Sequence, residues 1–151
     1  MPLIIDIQHA SSSTDIPSDT QLHQWLNAAA LPDSEGLELC LRIVDSDAIT
    51  ALNHQYRNKN KATNVLSFPA DIPEELNLPL LGDIVICAEV VKQEALAQNK
   101  SCEAHWAHMC IHGILHLQGY DHIDDDDANL MEALEIQLLQ NLGYTSPYDE
   151  Q

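Results

Sequence analysis

Four histidines recur at intervals that would place them on one side of a helix. They are His105, His108, His112 and His116. At about 100 degrees per residue, the four side chains project within an arc of roughly 80 degrees. Two imidazoles one helical turn apart, such as His112 and His116, can reach the same metal ion. A buried histidine is otherwise more often a hydrogen-bonded core residue, and we expect this role for His105 and His108.

The end of this segment strengthens the prediction of a metal site. Gly119 can adopt the left-handed conformation that ends a helix, which lets His122 approach the same ion from a loop. The full pattern, H-x-x-x-H-x-x-G-x-x-H, is the ligand spacing of the metzincin zinc proteases. We therefore predict that His112, His116 and His122 bind one zinc ion. Three neutral imidazoles leave a position for water, whose pKa zinc can lower to about 7, so the predicted activity is hydrolysis.

The residue after the first predicted ligand bears on the substrate. Metzincins and other HExxH enzymes place a glutamate general base there, whereas this sequence has Gly113. An amide hydrolase needs such a group to move a proton to the leaving amine. Phosphodiester cleavage depends more on stabilising charge on the phosphoryl group, for which a metal ion and an arginine suffice in principle. The sequence therefore favours phosphodiester chemistry.

The charged residues restrict how a nucleic acid could bind. With 6 basic and 24 acidic residues, the formal charge is -18, which argues against a protein that coats nucleic acid through its overall field. Arg57, Lys59 and Lys61 nevertheless cluster in a stretch, 55–70, without an acidic residue. We predict that this cluster binds the substrate backbone and that Arg57 assists catalysis. An ordinary solvated basic loop explains the composition equally well.

Two acidic features flank the histidine motif. Asp121, a candidate catalytic residue, could orient the imidazole of His122 or accept a proton, although a turn residue is an equally good interpretation. The run 124–127 could form a second metal site. A solvated start of the last helix is the better interpretation, because negative charge there complements the helix dipole.

Hydrophobic periodicity and capping residues predict the elements that must position these side chains. The predicted strands cover 3–8, 37–44, 64–68 and 83–87. The predicted helices cover 21–30, a segment capped by Ser46 or Asp47, then 88–98, 101–119 and 126–142. The inward face of the last helix is predicted to comprise Leu130, Met131, Leu134, Leu138 and Leu142. The histidine segment is apolar nearly all round, which predicts a buried central helix in a single α+β domain over 1–151.

The chain shows no sign of export or membrane insertion. Its cysteines, Cys40, Cys87, Cys102 and Cys110, form no CxxC pair, so reduced thiols in a cytoplasmic protein are expected. The start MPLIIDIQHA lacks a basic flank and carries Asp6 within its short apolar run, unlike a signal peptide. No stretch approaches the length of a membrane span.

Several segments resemble the YbeY family of endoribonucleases, also described as ribosomal RNA maturation factors. The resemblance rests on HGILHLQGYDH at 112–122, LNHQYRNKNKATNVLSFP at 52–69, LGDIVI at 81–86 and LGYTSPY at 142–148. These segments cover the central and C-terminal two thirds of the chain, in the order of the family.

The resemblance implies a zincin-like α+β fold with a small mixed sheet, a zinc site of three histidines and cleavage of single-stranded ribosomal RNA. The implied roles are ribosomal RNA maturation, including the 3′ end of the small-subunit RNA, and ribosome quality control. By position, the ligands are His112, His116 and His122, and Arg57 engages the phosphate. Asn64 stands where many members have aspartate, and we expect this position to be structural. Ribosomal proteins or assembly factors are possible partners, and a monomer is expected.

Two other functions remain open at this stage. A metalloprotease or other amide hydrolase would share the histidine spacing. A ribosome-assembly factor without catalytic activity would use the ion only to stabilise its fold, and chelation would then lower its melting temperature without affecting any turnover.

Overall fold

A four-stranded sheet with helices on both faces forms the framework of the chain. The computed structural model describes residues 2–70, 73–76, 78–120 and 124–147. The strands are β1 (Ile4–Ala10), β2 (Glu38–Val44), β3 (Val65–Pro69) and β4 (Leu80–Cys87). The helices are α1 (Asp19–Ala28), α2 (Ser46–Arg57), α3 (Ala88–Ala97), α4 (Cys102–Leu117) and α5 (Asp125–Asn141).

The sheet is mixed, as predicted. Its strand order is β1-β2-β4-β3, with β1, β2 and β4 parallel and the edge strand β3 antiparallel to β4. The predicted alternation in β2 is confirmed, because Leu39, Leu41 and Ile43 are all buried. Strands and helices are intermixed along the chain, so the fold is a single mixed α+β domain.

The two faces of the sheet are covered by different helices. Successive residues of a strand point to opposite faces. In β4, Ile84 and Ile86 belong to the large core that contains the apolar residues of α4, whereas Val85 and Cys87 pack with Ile49 of α2. Helices α2 and α4 therefore lie on opposite faces, and this separates the end of α2 from the histidine helix.

Helix α4 is the buried central helix that the sequence predicts. Its N-cap is Ser101, whose hydroxyl accepts a hydrogen bond of 3.1 Å from the backbone N–H of Ala104. The helix ends at Leu117, and Gly119 follows with a φ of 101°, a backbone conformation that residues other than glycine rarely adopt. Side chains on most of its circumference are buried, so its position in the core is fixed from several directions.

Two local predictions are wrong. Helix α2 is capped by Asp45 rather than by Ser46 or Asp47, and the Asp45 carboxylate binds Ser11 and Ser12 instead of its own helix. In α5, Leu130 is 55% exposed. The other predicted inward residues are confirmed, since Met131 is buried and Leu134, Leu138 and Leu142 are partly buried against the core. The most buried positions after Met131 are Glu135 and Leu139, which follow it at intervals of four residues, and this turns Leu130 away from the core.

Other predictions from the whole chain hold in the described residues. All four cysteines are free. Asp124 caps α5 by accepting a hydrogen bond of 2.8 Å from Asp127 N, and the acidic run there is exposed, as expected for a solvated helix start. No helix in the described part of the chain combines the length and apolar character needed to cross a bilayer.

Candidate metal centre

The four histidines of α4 form a continuous row of rings. The ring centroids are 6.0 Å apart for His105 and His108, 6.3 Å for His108 and His112, and 5.5 Å for His112 and His116. Exposure changes along the row, since His105 and His108 are buried whereas His112 and His116 are half-buried. Only the C-terminal pair is open enough to combine metal binding with access for a substrate.

The separation of His112 and His116 fits two ligands of one ion. Imidazoles bound to zinc at about 2.0–2.1 Å in a tetrahedral arrangement have ring centres about 5 Å apart. The observed distance is 5.5 Å, and Gly119 provides the chain reversal expected before the third ligand. The predicted third ligand, His122, and the candidate catalytic residue Asp121 lie outside the described residues, so both remain predictions.

A carboxylate that the sequence analysis missed lies beside the row. Glu135 of α5 is completely buried, with its Oε2 atom 2.5 Å from Nε2 of His108 and 3.4 Å from Nδ1 of His112. One signal could have revealed it: Glu135 lies one turn from Met131 and one turn from Leu139, at the centre of an apolar stripe. A charged residue at such a position needs a partner, and here the partners are histidines.

The surroundings of Glu135 keep it ionised. Burial by itself raises the pKa of this carboxyl group, but the hydrogen bonds and electrostatic interaction with His108 and His112 outweigh burial and lower it to about 2. The carboxylate therefore acts as an acceptor for both imidazoles.

A second carboxylate pairs with the first histidine of the row. Oε1 of Glu94, in α3, lies 2.9 Å from Nε2 of His105. Burial lowers the pKa of His105, while the hydrogen bond to Glu94 acts in the opposite direction. His105 and His108 thus have the hydrogen-bonded core role that the sequence analysis assigned to them.

By composition, His108, His112 and Glu135 could themselves hold a metal ion, because one ligand atom from each lies within 4.8 Å of the others. The distances favour a hydrogen-bonded cluster. Two atoms bound to the same zinc ion at about 2.0–2.2 Å lie roughly 3.3 Å apart in tetrahedral geometry. The 2.5 Å between His108 Nε2 and Glu135 Oε2 leaves room for a proton only.

The predicted substrate-binding cations lie apart from the histidine row. Arg57 is the last residue of α2, and Lys59 and Lys61 follow in the loop that leads to β3; all three are exposed. Within the described part of the chain, none of them forms a hydrogen bond through its side chain or an ion pair with a residue of α4. The structure therefore brings together His112 and His116 but not Arg57.

A polar cleft of about 530 Å³ lies beside the buried, N-terminal part of the histidine row. Its lining includes Asn64 at the end of the basic loop, His105 and His108 from the histidine row, and Lys100. Burial lowers the pKa of Lys100, while the nearby carboxylates of Glu94 and Glu135 act in the opposite direction. The cleft thus has a cation, Lys100, that does not belong to the basic loop.

Comparisons with known proteins identify the family. The family model described as Endoribonuclease YbeY matches residues 5–143. A protein named Endoribonuclease YbeY from Cellvibrio japonicus is 56% identical over 149 residues, which cover 97% of this chain and 83% of that protein. The chain belongs to the YbeY family. The predicted resemblance is thereby confirmed, including for the N-terminal third, which had contributed little to it.

A solved structure supports the fold of this YbeY-family chain. The solution structure of TM1509 from Thermotoga maritima is 24% identical and has a TM-score of 0.60, covering 95% of this chain and 99% of that one. At this identity the similarity concerns the fold alone.

Two positions of the YbeY motifs have local structural explanations. A Cβ atom at Gly113 would lie 2.9 Å from Cδ1 of Ile84, so this position faces the sheet rather than the predicted metal ligands. Asn64 accepts a hydrogen bond of 2.6 Å from the backbone N–H of Val65 and donates one of 3.0 Å to Glu94. These bonds give Asn64 a role in fixing the start of β3.

Proposed function

We propose that this protein is a zinc-dependent endoribonuclease selective for single-stranded RNA. Its substrate is ribosomal RNA, including the 3′ end of the small-subunit RNA, and its role extends to ribosome quality control. The observation that carries the proposal is the pair of half-buried imidazoles, His112 and His116, with centroids 5.5 Å apart in a chain of the YbeY family. A zincin-like fold and one hydrolase domain over 1–151 belong to the same proposal.

The donor set fits zinc. In the proposal His112, His116 and His122 hold the ion, and a fourth position remains for water, as catalytic zinc sites require. When bound, zinc would supply hydroxide near neutral pH or polarise a phosphoryl oxygen. The nucleophile is either this water or the 2′-hydroxyl of the RNA, and Asp121 is the candidate proton acceptor.

The cations guide the RNA backbone in this proposal. Lys59 and Lys61 contact phosphates of the RNA strand before that strand enters the cleft lined by Lys100. Arg57 balances the negative charge that develops on the phosphoryl group. The loop after Arg57 leads into the edge strand β3, whose Ser67 hydroxyl donates a hydrogen bond of 3.3 Å to the Gly113 carbonyl of α4. RNA bound along this edge would contact both the basic loop and the histidine helix. The proposed path explains how a strongly acidic protein can bind RNA locally.

The geometry at Gly113 disfavours the protease alternative. A glutamate at this position would point towards the buried Ile84 and could not reach water at the histidine face. The carboxylate of Glu135 already accepts hydrogen bonds from His108 and His112. The general-base glutamate of the HExxH proteases therefore has no counterpart at position 113.

The deciding experiment couples metal analysis to RNA cleavage. Wild type, His116→Ala and Arg57→Ala are each assayed for zinc content and for cleavage of matched single-stranded and duplex RNAs. We expect one zinc per wild-type chain and preferential cleavage of single strands, loss of both zinc and cleavage in His116→Ala, and loss of cleavage with zinc retained in Arg57→Ala.

Each alternative has its own result. Zinc-dependent cleavage of casein without RNA cleavage would replace the proposal by a protease. A large fall in melting temperature on chelation, without turnover of any substrate, would indicate an assembly factor with a structural metal. Unchanged cleavage in Arg57→Ala would remove Arg57 from the mechanism. A cytoplasmic location, a monomeric state and contacts with ribosomal proteins or assembly factors complete the proposal.

A further inference from the structure

We propose that Glu135 is a positioning residue that fixes the tautomer and orientation of His112 and thereby sets the affinity for the metal ion. This inference rests on the zinc site of the proposed function. It concerns a residue of α5 that lies outside the histidine motif and was not among the predicted site residues.

The first step is the tautomer of His112. A carboxylate only accepts hydrogen bonds, so the ring atom that faces it must carry the proton. Oε2 of Glu135 lies 3.4 Å from Nδ1 of His112. With the proton on Nδ1, the lone pair of this ring is on Nε2, which is then the atom available to a metal ion. The other tautomer would direct an N–H group towards the ion.

The second step is the fixed position of the carboxylate. The same Oε2 atom accepts a hydrogen bond from Nε2 of His108, at 2.5 Å. Glu135 is fully buried, and the neighbouring turns of α5 are held in the core by Met131 and Leu139. The carboxylate therefore has little freedom to turn away from His112, and the orientation is set before metal binding.

The third step separates this role from a general structural one. Glu94 of α3 forms a second carboxylate–imidazole pair with His105 of α4, at 2.9 Å, but Glu94 is 32% exposed and His105 is two turns from His112. A purely structural contribution of either pair would leave zinc affinity unchanged. A positioning role makes Glu135, but not Glu94, important for the metal.

The test is zinc affinity measured by competition with a chromophoric chelator, together with the melting temperature of the metal-free protein. Glu135→Gln keeps the shape of the side chain but offers an amide in place of the carboxylate. We expect zinc affinity to fall by about tenfold to a hundredfold, the range for removing such outer partners of metal-bound histidines. The matched control, Glu94→Gln, should bind zinc like wild type, whatever its melting temperature.

A further variant distinguishes positioning from direct ligation. His108→Gln keeps an N–H donor near Glu135 but removes the imidazole, so zinc affinity should stay within about threefold of wild type. If His108, His112 and Glu135 were the ligands, His108→Gln would abolish binding. That result would overturn the proposal.

The tautomer itself can be read in the wild-type protein without any substitution. Long-range ¹H–¹⁵N spectra of metal-free protein should show His112 protonated at Nδ1, with a mixture of tautomers in Glu135→Gln. A proton on Nε2 in wild type, or unchanged zinc affinity in Glu135→Gln, overturns the inference.

The zinc site is checked separately with wild type and His116→Ala. If wild type binds no zinc, or His116→Ala binds it equally well, the proposed metal site fails. If that site stands and Glu135→Gln binds zinc like wild type, the positioning role alone fails.

Discussion

The side-chain amide of Asn53 donates a hydrogen bond of 3.0 Å to the backbone carbonyl of Lys61, and this bond closes the basic loop onto α2. Asn53 is buried, and its own backbone carbonyl accepts a hydrogen bond of 3.3 Å from the N–H of Lys59. Asn58, between Asn53 and Lys61 in the sequence, has a φ of 57° and caps the helix. One buried residue, Asn53, thus holds the backbone of both lysines that are proposed to contact the RNA.

Asn53→Asp should loosen this loop. A carboxylate cannot donate to the Lys61 carbonyl, so two acceptors would face each other in a buried position. We expect a loss of about 1–3 kcal/mol in the free energy of unfolding, measured in urea, and a higher KM for single-stranded RNA with a smaller change in kcat. Asn58→Gly, which preserves the left-handed conformation, is the control and should change neither parameter strongly. If Asn53→Asp has the stability and the KM of wild type, the hydrogen bond from Asn53 to Lys61 is unimportant for the loop.

Lys59 and Lys61 should each contribute to the salt dependence of RNA binding. Each phosphate contact on a single strand contributes about 0.7 to the slope of log affinity against log salt concentration. Lys59→Ala and Lys61→Ala are therefore each expected to reduce the slope by about this amount, in binding titrations across a range of salt. Lys92→Ala provides the comparison, because Lys92 pairs with Asp15 away from the loop. If the slopes of the two loop variants match that of wild type, the loop does not contact phosphate.

Much of this arrangement follows from local sequence signals. The period of two in β2, the Ser101 cap and Gly119 each act through a few neighbouring residues, and the structure has the elements that they predict. The histidine row is equally local, because helical geometry alone places its side chains on one face.

Contacts between distant elements were not accessible in the same way. Glu135 meets His108 only because α5 packs against α4, and no pattern within either helix fixes that register. Similarly, α2 and α4 pack on opposite faces of one sheet, a consequence of strand order. The sequence alone gives no measure of how the end of α2, where Arg57 lies, is placed relative to the histidine helix, so the catalytic role of Arg57 stays a prediction.

Asn64→Asp tests the role of the Asn64 amide at the start of β3. The side chain would become a carboxylate about 3 Å from that of Glu94, and the hydrogen bond between them would be lost. We expect a loss of about 1–3 kcal/mol in unfolding free energy at neutral pH. Adding Glu94→Gln should recover part of this loss, because a glutamine amide can donate to the new carboxylate. Additive losses in the double variant would show that the two positions are not coupled.

The pH dependence of stability should report on Asp45. Hydrogen bonds from the Ser11 hydroxyl and from the backbone and hydroxyl of Ser12 lower the pKa of Asp45. A carboxyl group with a lower pKa in the folded state stabilises the fold above its unfolded pKa, about 3.9, and this contribution disappears as the pH falls through the folded pKa. Between pH 6 and pH 3, wild type should therefore lose more stability than Asp45→Asn.

Ser12→Ala is the matched variant for this measurement. It removes one hydroxyl donor but keeps the carboxylate, so the pKa of Asp45 in the folded state should move back towards its unfolded value. The loss of stability with falling pH should therefore be smaller than in wild type and larger than in Asp45→Asn. Urea unfolding at several pH values gives the free energy of unfolding of metal-free wild type, Asp45→Asn and Ser12→Ala. Parallel curves for wild type and Asp45→Asn would contradict the prediction.

Gly113→Ala should reveal how tightly α4 packs on the sheet. Alanine favours a helix over glycine by about 1 kcal/mol, but its Cβ atom would lie 2.9 Å from Cδ1 and 3.2 Å from Cγ2 of the fully buried Ile84. Overpacking of this kind costs about 1–3 kcal/mol, so packing should outweigh propensity and the variant should unfold more easily in urea. Ile84→Val removes Cδ1, and in that background Gly113→Ala should be neutral or stabilising. If Gly113→Ala stabilises the wild-type protein, the helix can move away from β4, and Gly113 does not limit the approach of α4 to the sheet.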